Sequence, residues 1–139
     1  MIDISNIVID TVANAIWTTE GFSDVEVTSD YNPTPETFPT VFIYEASNAA
    51  YTNSFDDSLT NNHVNVMYVA DVFALDLATA QTLRDICDTA MQNMKFTRNF
   101  SQPTFNVDRT IKRFTSRYTA VVGAPITVNN KTVYQIYRS

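Results

Sequence analysis

A chain of 139 residues with 45% hydrophobic side chains, 17% charged ones and two glycines has the length of one domain, residues 1–139, burying roughly two-thirds of its unfolded surface. That composition excludes intrinsic disorder. A formal charge of −6 and a pI near 4.5 exclude a nucleic-acid grip through a basic patch, although an acidic protein can surround DNA without adhering to it.

The opening residues carry Asp3, Ser5, Asn6 and Asp10, which breaks up any secretory leader. No apolar run approaches the roughly 20 residues of a bilayer helix, so a soluble protein is expected. Apolar residues at Ile4, Ile7, Val8, Val12, Ala15 and Ile16 recur at three- and four-residue spacing and predict a helix over 2–17. Asp3 or Ser5 can cap its amino end, and Gly21 is expected to stop it. A short strand follows over 25–28. Three of the five prolines fall in 32–39, which must be extended rather than helical and reads as a stiff connector. Residues 40–46 form a strand apolar on both faces, hence central.

A polar stretch over 47–62 exceeds the usual loop length. Tyr51, Phe55 and Leu59 recur within it every four residues, an arrangement that suits docking on a neighbour as well as packing back on the home domain. The run that organises the chain comes next, HVNVMYVADVFAL over 63–75, rich in valine and aromatics and uninterrupted by proline or glycine. Val64, Val66, Tyr68, Ala70, Val72 and Ala74 alternate onto one face and predict core. The opposite face mixes His63, Asn65 and Asp71 with Met67, Val69 and Phe73.

A second helix is predicted over 77–94, capped by Asp76, with Ala80, Leu83, Ile86, Cys87, Ala90, Met91 and Met94 on its buried stripe. The single cysteine, Cys87, excludes an internal disulfide, which indicates a reducing compartment, and reads as a small hydrophobe rather than a nucleophile. A short strand over 96–100 leads to a turn-rich link over 101–108 around Pro103. Residues 110–122 form the second long strand, with Phe114, Tyr118, Ala120 and Val122 inward and Arg113, Thr115, Arg117 and Thr119 outward. Strands over 126–128 and 132–137 flank Asn129-Asn130-Lys131 and end the chain in a β-hairpin.

The fold class expected is α+β: a mainly antiparallel sheet with both helices on one face and a C-terminal hairpin. Two helices cannot cover two faces. Met67, Val69 and Phe73 would then form an exposed apolar patch, and oligomerisation is its direct remedy.

Recognisable chemistry is sparse. His63 is the only histidine, so one chain cannot hold a multi-histidine metal site, and a hydrogen bond closing the preceding loop is its plain role. Asp56 and Asp57 lack the spacing of a calcium loop. Two glycines, Gly21 and Gly123, cannot make a phosphate-cradling loop. Arg113 and Arg117 share a strand face and can clamp a phosphate, but Glu45 or Asp71 offers structural ion pairs on that same face. No enzyme, cofactor or bound metal is expected.

Several pieces resemble one family. Phe38-Pro39 is followed by Val41, Glu45 and Asn48; NHVNVMYVADVF spans 62–73, where the family has NH-x-x-VMY-x-V; FTR spans 96–98 and NVDRTIKRFTSRYTAVV spans 106–122. In order and in combination they are similar to the tail-completion, or tail-terminator, proteins of tailed bacteriophages, also labelled minor capsid or head–tail joining proteins. Ala70 replaces a larger aliphatic, Lys95 stands where glycine is expected, and the tail beyond Gly123 is longer than the family pattern.

The resemblance implies a non-enzymatic virion protein synthesised in the bacterial cytoplasm. It would assemble as a homo-hexameric ring at the head–tail junction, cap the tail tube, end its polymerisation and meet the neck or connector proteins, and the sheath protein where the tail contracts. DNA would pass through without specific binding. Six copies at −6 each carry about −36, a sign that lets DNA slide; Asp56, Asp57, Glu26 and Asp30 are the candidate lumen residues. Met67, Val69, Phe73, Tyr51, Phe55 and Leu59 are the candidate contacts. The alternatives are another neck component, such as a stopper or connector adaptor, and a monomeric ligand-binding α+β domain using the uncovered sheet face as a pocket.

Overall fold

A computed structural model describes residues 3–32, 35–50, 63–104 and 108–138. The fold is α+β, and the described residues form ten elements in the order α1 (Ser5–Trp17), β1 (Glu26–Thr28), β2 (Thr40–Ala50), β3 (His63–Ala74), α2 (Leu77–Asn93), β4 (Thr97–Thr104), β5 (Lys112–Gly123), β6 (Ile126–Val128), β7 (Lys131–Val133) and β8 (Ile136–Arg138). The main sheet runs β1-β2-β3-β5-β4, and β8 also pairs with β5. β1 lies parallel to β2; the other main-sheet pairings are antiparallel. β3 occupies one side of β5 over its full length, so β4 and β8 share the other side.

β3 is central because its alternating valines let one face fill the core. Val66, Tyr68, Val72 and Ala74 are buried against α1 and α2, together with Val41 and Ile43 of β2 and Tyr118, Ala120 and Val122 of β5. From the helices come Val8, Val12 and Ile16 of α1 and Leu83, Cys87 and Met91 of α2. Both helices therefore lie on one sheet face, as their apolar stripes require.

Helix ends follow local chemistry. The Ser5 amide donates to the Asp3 carboxylate at 2.9 Å, and the Thr79 amide donates to Asp76 at 3.0 Å, each relieving a first-turn amide. α1 ends at Trp17, four residues before Gly21, whose φ of +89° suits a residue without Cβ.

α2 closes differently. The Phe96 amide reaches the Met91 carbonyl at 3.1 Å and the Lys95 amide reaches Gln92 at 3.0 Å, the paired bonds of a Schellman end. The residue held left-handed is Lys95, at φ +77°, where the family resemblance leads one to expect glycine. A lysine Cβ is disfavoured there by roughly 1 kcal/mol. Lys95→Gly is expected to raise stability by somewhat under that amount, since glycine also loosens the unfolded chain; urea unfolding measures it.

Three boundaries differ from the sequence expectation. β2 continues to Ala50 through a register shift between Glu45 and Ser47, a bulge that absorbs one residue. β4 runs through Pro103, which pairs with Phe114; an edge strand tolerates a residue without N–H because one side has no partner to receive it. The last expected strand, over 132–137, is two: β7 pairs with β6 in a separate two-stranded sheet, and β8 returns to β5. Asn129 and Asn130 at φ +51° and +62° make the tight turn that links β6 and β7.

Candidate functional site

The second sheet face is the candidate surface, and its centre is closed by the chain itself. Phe73 is wholly buried and Val69 is 4% exposed. The Phe73 ring meets Phe42 edge-on at 5.5 Å, and the Arg113 guanidinium stands 4.8 Å above it. Tyr31, from the segment after β1, covers Phe42 at 5.3 Å and Tyr44 at 5.5 Å. Two of the three expected contact residues on β3 therefore belong to a small second core, which corrects the expectation of an open apolar patch. Met67 remains partly exposed. The other three expected contacts, Tyr51, Phe55 and Leu59, and the lumen candidates Asp56 and Asp57 lie outside the described residues.

Asp71 is the buried charge of this face, 1% exposed. Arg113 meets it with two nitrogens, Nε at 3.3 Å and Nη2 at 3.1 Å, and the Thr115 hydroxyl donates to it as well. Arg113 Nη2 also donates to the Tyr31 hydroxyl at 2.8 Å. The same guanidinium thus neutralises Asp71, roofs Phe73 and anchors Tyr31. Such a bidentate pair suits a site that water reaches poorly. Arg117 does not join it. Its guanidinium lies 5.2 Å over the Phe100 ring, and among the described residues it has no ion pair.

Glu45 is on the other face, a second correction. Odd-numbered Val41, Ile43 and Glu45 alternate with Phe42 and Tyr44, so Glu45 sits opposite Tyr68 on the helix side. It accepts from the Tyr68 hydroxyl at 3.3 Å and from Asn48 at 3.3 Å. Burial and the Glu45 carboxylate push the Tyr68 phenol well above its ordinary value, so it stays a protonated donor. Tyr118 mirrors it: its hydroxyl donates to Asp88 at 2.9 Å, and Asp88 pairs with Arg98 at 3.2 Å. Both aromatic hydroxyls are structural.

The remaining acidic candidates lie at the β1 edge. Glu26 accepts from the Thr37 hydroxyl and Asp30 donates its amide to Thr28 at 3.1 Å. With Glu36 they line a cleft of about 330 Å³ that also touches Pro35 and Phe42. Among the described residues, no cluster of three or more His, Cys, Asp or Glu side chains is placed to hold a metal ion.

The nucleophile candidate Cys87 does not sit in reactive surroundings. Cys87 is buried in the helix–sheet core and its thiol is pushed up to about 12 by desolvation, then by Asp88, whereas reactive thiols are depressed. At pH 8 an alkylating reagent is expected to leave native Cys87 unlabelled and to label it readily in urea. Above the ordinary thiol value of 9.0, stability should fall with rising pH, because only the unfolded chain can ionise the thiol there. His63 lies opposite Gly123, with its ring 5.8 Å from Tyr137 and its buried Nδ1 unpartnered among the described residues.

The surface the sequence reading missed is the hairpin. Ile126, Val128 and Val133 are 44%, 46% and 41% exposed and Tyr137 is 45% exposed. Their alternation was visible, but three-residue strands resemble ordinary core strands until their packing is known. Among the described residues no helix is long and apolar enough to cross a membrane. No protein-family model matches the chain, and no curated protein matches it.

Proposed function

We propose that this chain is a structural virion protein of a tailed bacteriophage, forming a hexameric ring at the head–tail junction that caps the tail tube and joins it to the neck. The observation that carries the reading is where the family-like pieces fall. Those over 63–68 and 117–122, about fifty residues apart, lie side by side on β3 and β5, with Val66 opposite Ala120 and Tyr68 opposite Tyr118. Pieces that resemble one family and also form one contiguous sheet centre support a shared scaffold more than scattered matches would. The acidic balance suits a channel that DNA traverses, and the raised thiol of buried Cys87 supports a non-enzymatic role.

The test is polymerisation of the cognate tail tube protein with and without this chain. Added chain is expected to bind tube ends and halt growth. Tubes that lengthen unchanged and carry none of it at their ends would contradict the reading and favour another neck position.

A further inference from the structure

Charge is divided along this chain. Residues 1–83 hold twelve of the fifteen acidic residues and no lysine or arginine, whereas 84–139 hold all nine basic residues and three acidic ones, formal charges of −12 and +6. The fold turns that division into a spatial one. β1, β2 and β3 form one side of the sheet; β5, β4 and β8 form the other. The β1 side ends in an open edge strand with Glu26, Asp30 and Glu36 exposed around the cleft. The far side carries Arg98 on β4, Arg138 on β8 and Lys131 in the β6–β7 hairpin.

The hairpin supplies a second observation. Ile126 pairs with Val133 and Val128 with Lys131, and cross-strand partners share a face. Ile126, Val128 and Val133 therefore form one apolar face beside the Lys131 ammonium, while Thr127 and Thr132 take the other. Exposed apolar residues scattered singly are ordinary; a contiguous set marks a contact. A two-stranded hairpin is marginal alone in water, and among the described residues this one pairs with no strand of the main sheet.

We infer that the β6–β7 hairpin docks, apolar face inward, on the acidic β1 edge of a second copy of this chain. The inference rests on the self-assembly part of the function proposed above and names its contact. A second copy is the occupant because the complement is on the same polypeptide. The cleft offers Pro35, above the buried Phe42 ring, to the hairpin's valine and isoleucine side chains, and its carboxylates face Lys131. Hairpin and β1 edge lie on different sides of the protomer, so the contact is heterologous and repeats from copy to copy, closing into a ring where the rotation allows. Opposite charge on the two surfaces would also fix which side meets which.

Sedimentation of the full chain over a wide concentration range tests this. The wild-type chain is expected to associate, more weakly as salt rises. Ile126→Ser/Val128→Ser/Val133→Ser should remain at the protomer mass of 15.7 kDa with an unchanged melting temperature, since all three side chains are exposed. Lys131→Glu and Asp30→Lys should each weaken association about tenfold. An equal mixture of those two variants should restore it, because every contact then again joins opposite charges. A triple variant that associates like wild type, or a mixture no better than its parts, overturns the hairpin contact while leaving self-assembly intact. A wild-type chain that stays a protomer throughout also overturns the contact, and the tube-capping assay then judges the functional reading separately.

Discussion

Phe73→Asp abolishes the folded state at room temperature. The ring is wholly buried between Phe42 and the Arg113 guanidinium, and truncating such a phenylalanine costs about 3–5 kcal/mol. The new carboxylate would be buried as well, two residues along the same strand face from Asp71. An unpaired buried charge adds several kcal/mol more. Ordinary domains are stable by about 5–15 kcal/mol, so the sum consumes all or most of what holds the chain folded. Circular dichroism should show no cooperative melt. Phe73→Leu, which keeps an apolar filling, should melt cooperatively with a loss of roughly 1–2 kcal/mol. If Phe73→Asp folds normally and merely stops self-association, the face is an interface after all.

Arg113→Met costs about 3–5 kcal/mol, the range for breaking a buried pair by removing one partner. Methionine keeps an apolar stem but removes the guanidinium that roofs Phe73, so the loss reports the unpaired charge together with the lost roof. Asp71, 1% exposed, keeps the Thr115 hydroxyl but loses both guanidinium contacts, and Tyr31 loses its anchor. Adding Asp71→Asn should recover a large part of the loss, because a neutral amide is cheaper to bury than an unpaired carboxylate. Denaturant midpoints of the two single variants and the double variant give the coupling. A loss below 1 kcal/mol in Arg113→Met would place the pair among exposed ion pairs of little worth.

The two residues behind these effects also mark where sequence reasoning stopped. The inward face of β3 was legible because alternation at Val64, Val66, Tyr68, Ala70, Val72 and Ala74 needs no knowledge of the rest of the chain, and all six are buried. Asp76 as a cap and Asn129-Asn130 as a turn were legible for the same local reason. The outward face of β3 was not. Its cover comes from Arg113, forty-two residues after Asp71, whose ion pair with Asp71 was legible from their shared sheet face, and from Tyr31, forty residues before Asp71, which nothing in the local pattern announces. Counting helices as the only cover made a face closed at Val69, Asp71 and Phe73 look open.

Glu45 was misplaced by a parity slip: strand alternation from Val41 puts it with the core face, and the bulge that follows does not reverse that. Pro103 was read as a link because proline argues against a strand except at an edge, and edge position is a property of the finished sheet. The division of charge between 1–83 and 84–139 was fully present in the sequence. Its meaning depended on β3 and β5 lying at the seam between the two halves, which only the topology shows.

Imaging of intact particles tests the proposed ring at the junction of head and tail most directly. Virions carrying an electron-dense label on the C-terminal hairpin side of this chain are predicted to show six copies around the channel where the tail tube meets the neck. Label absent from the virion, or present there without sixfold arrangement at that level, would contradict the account.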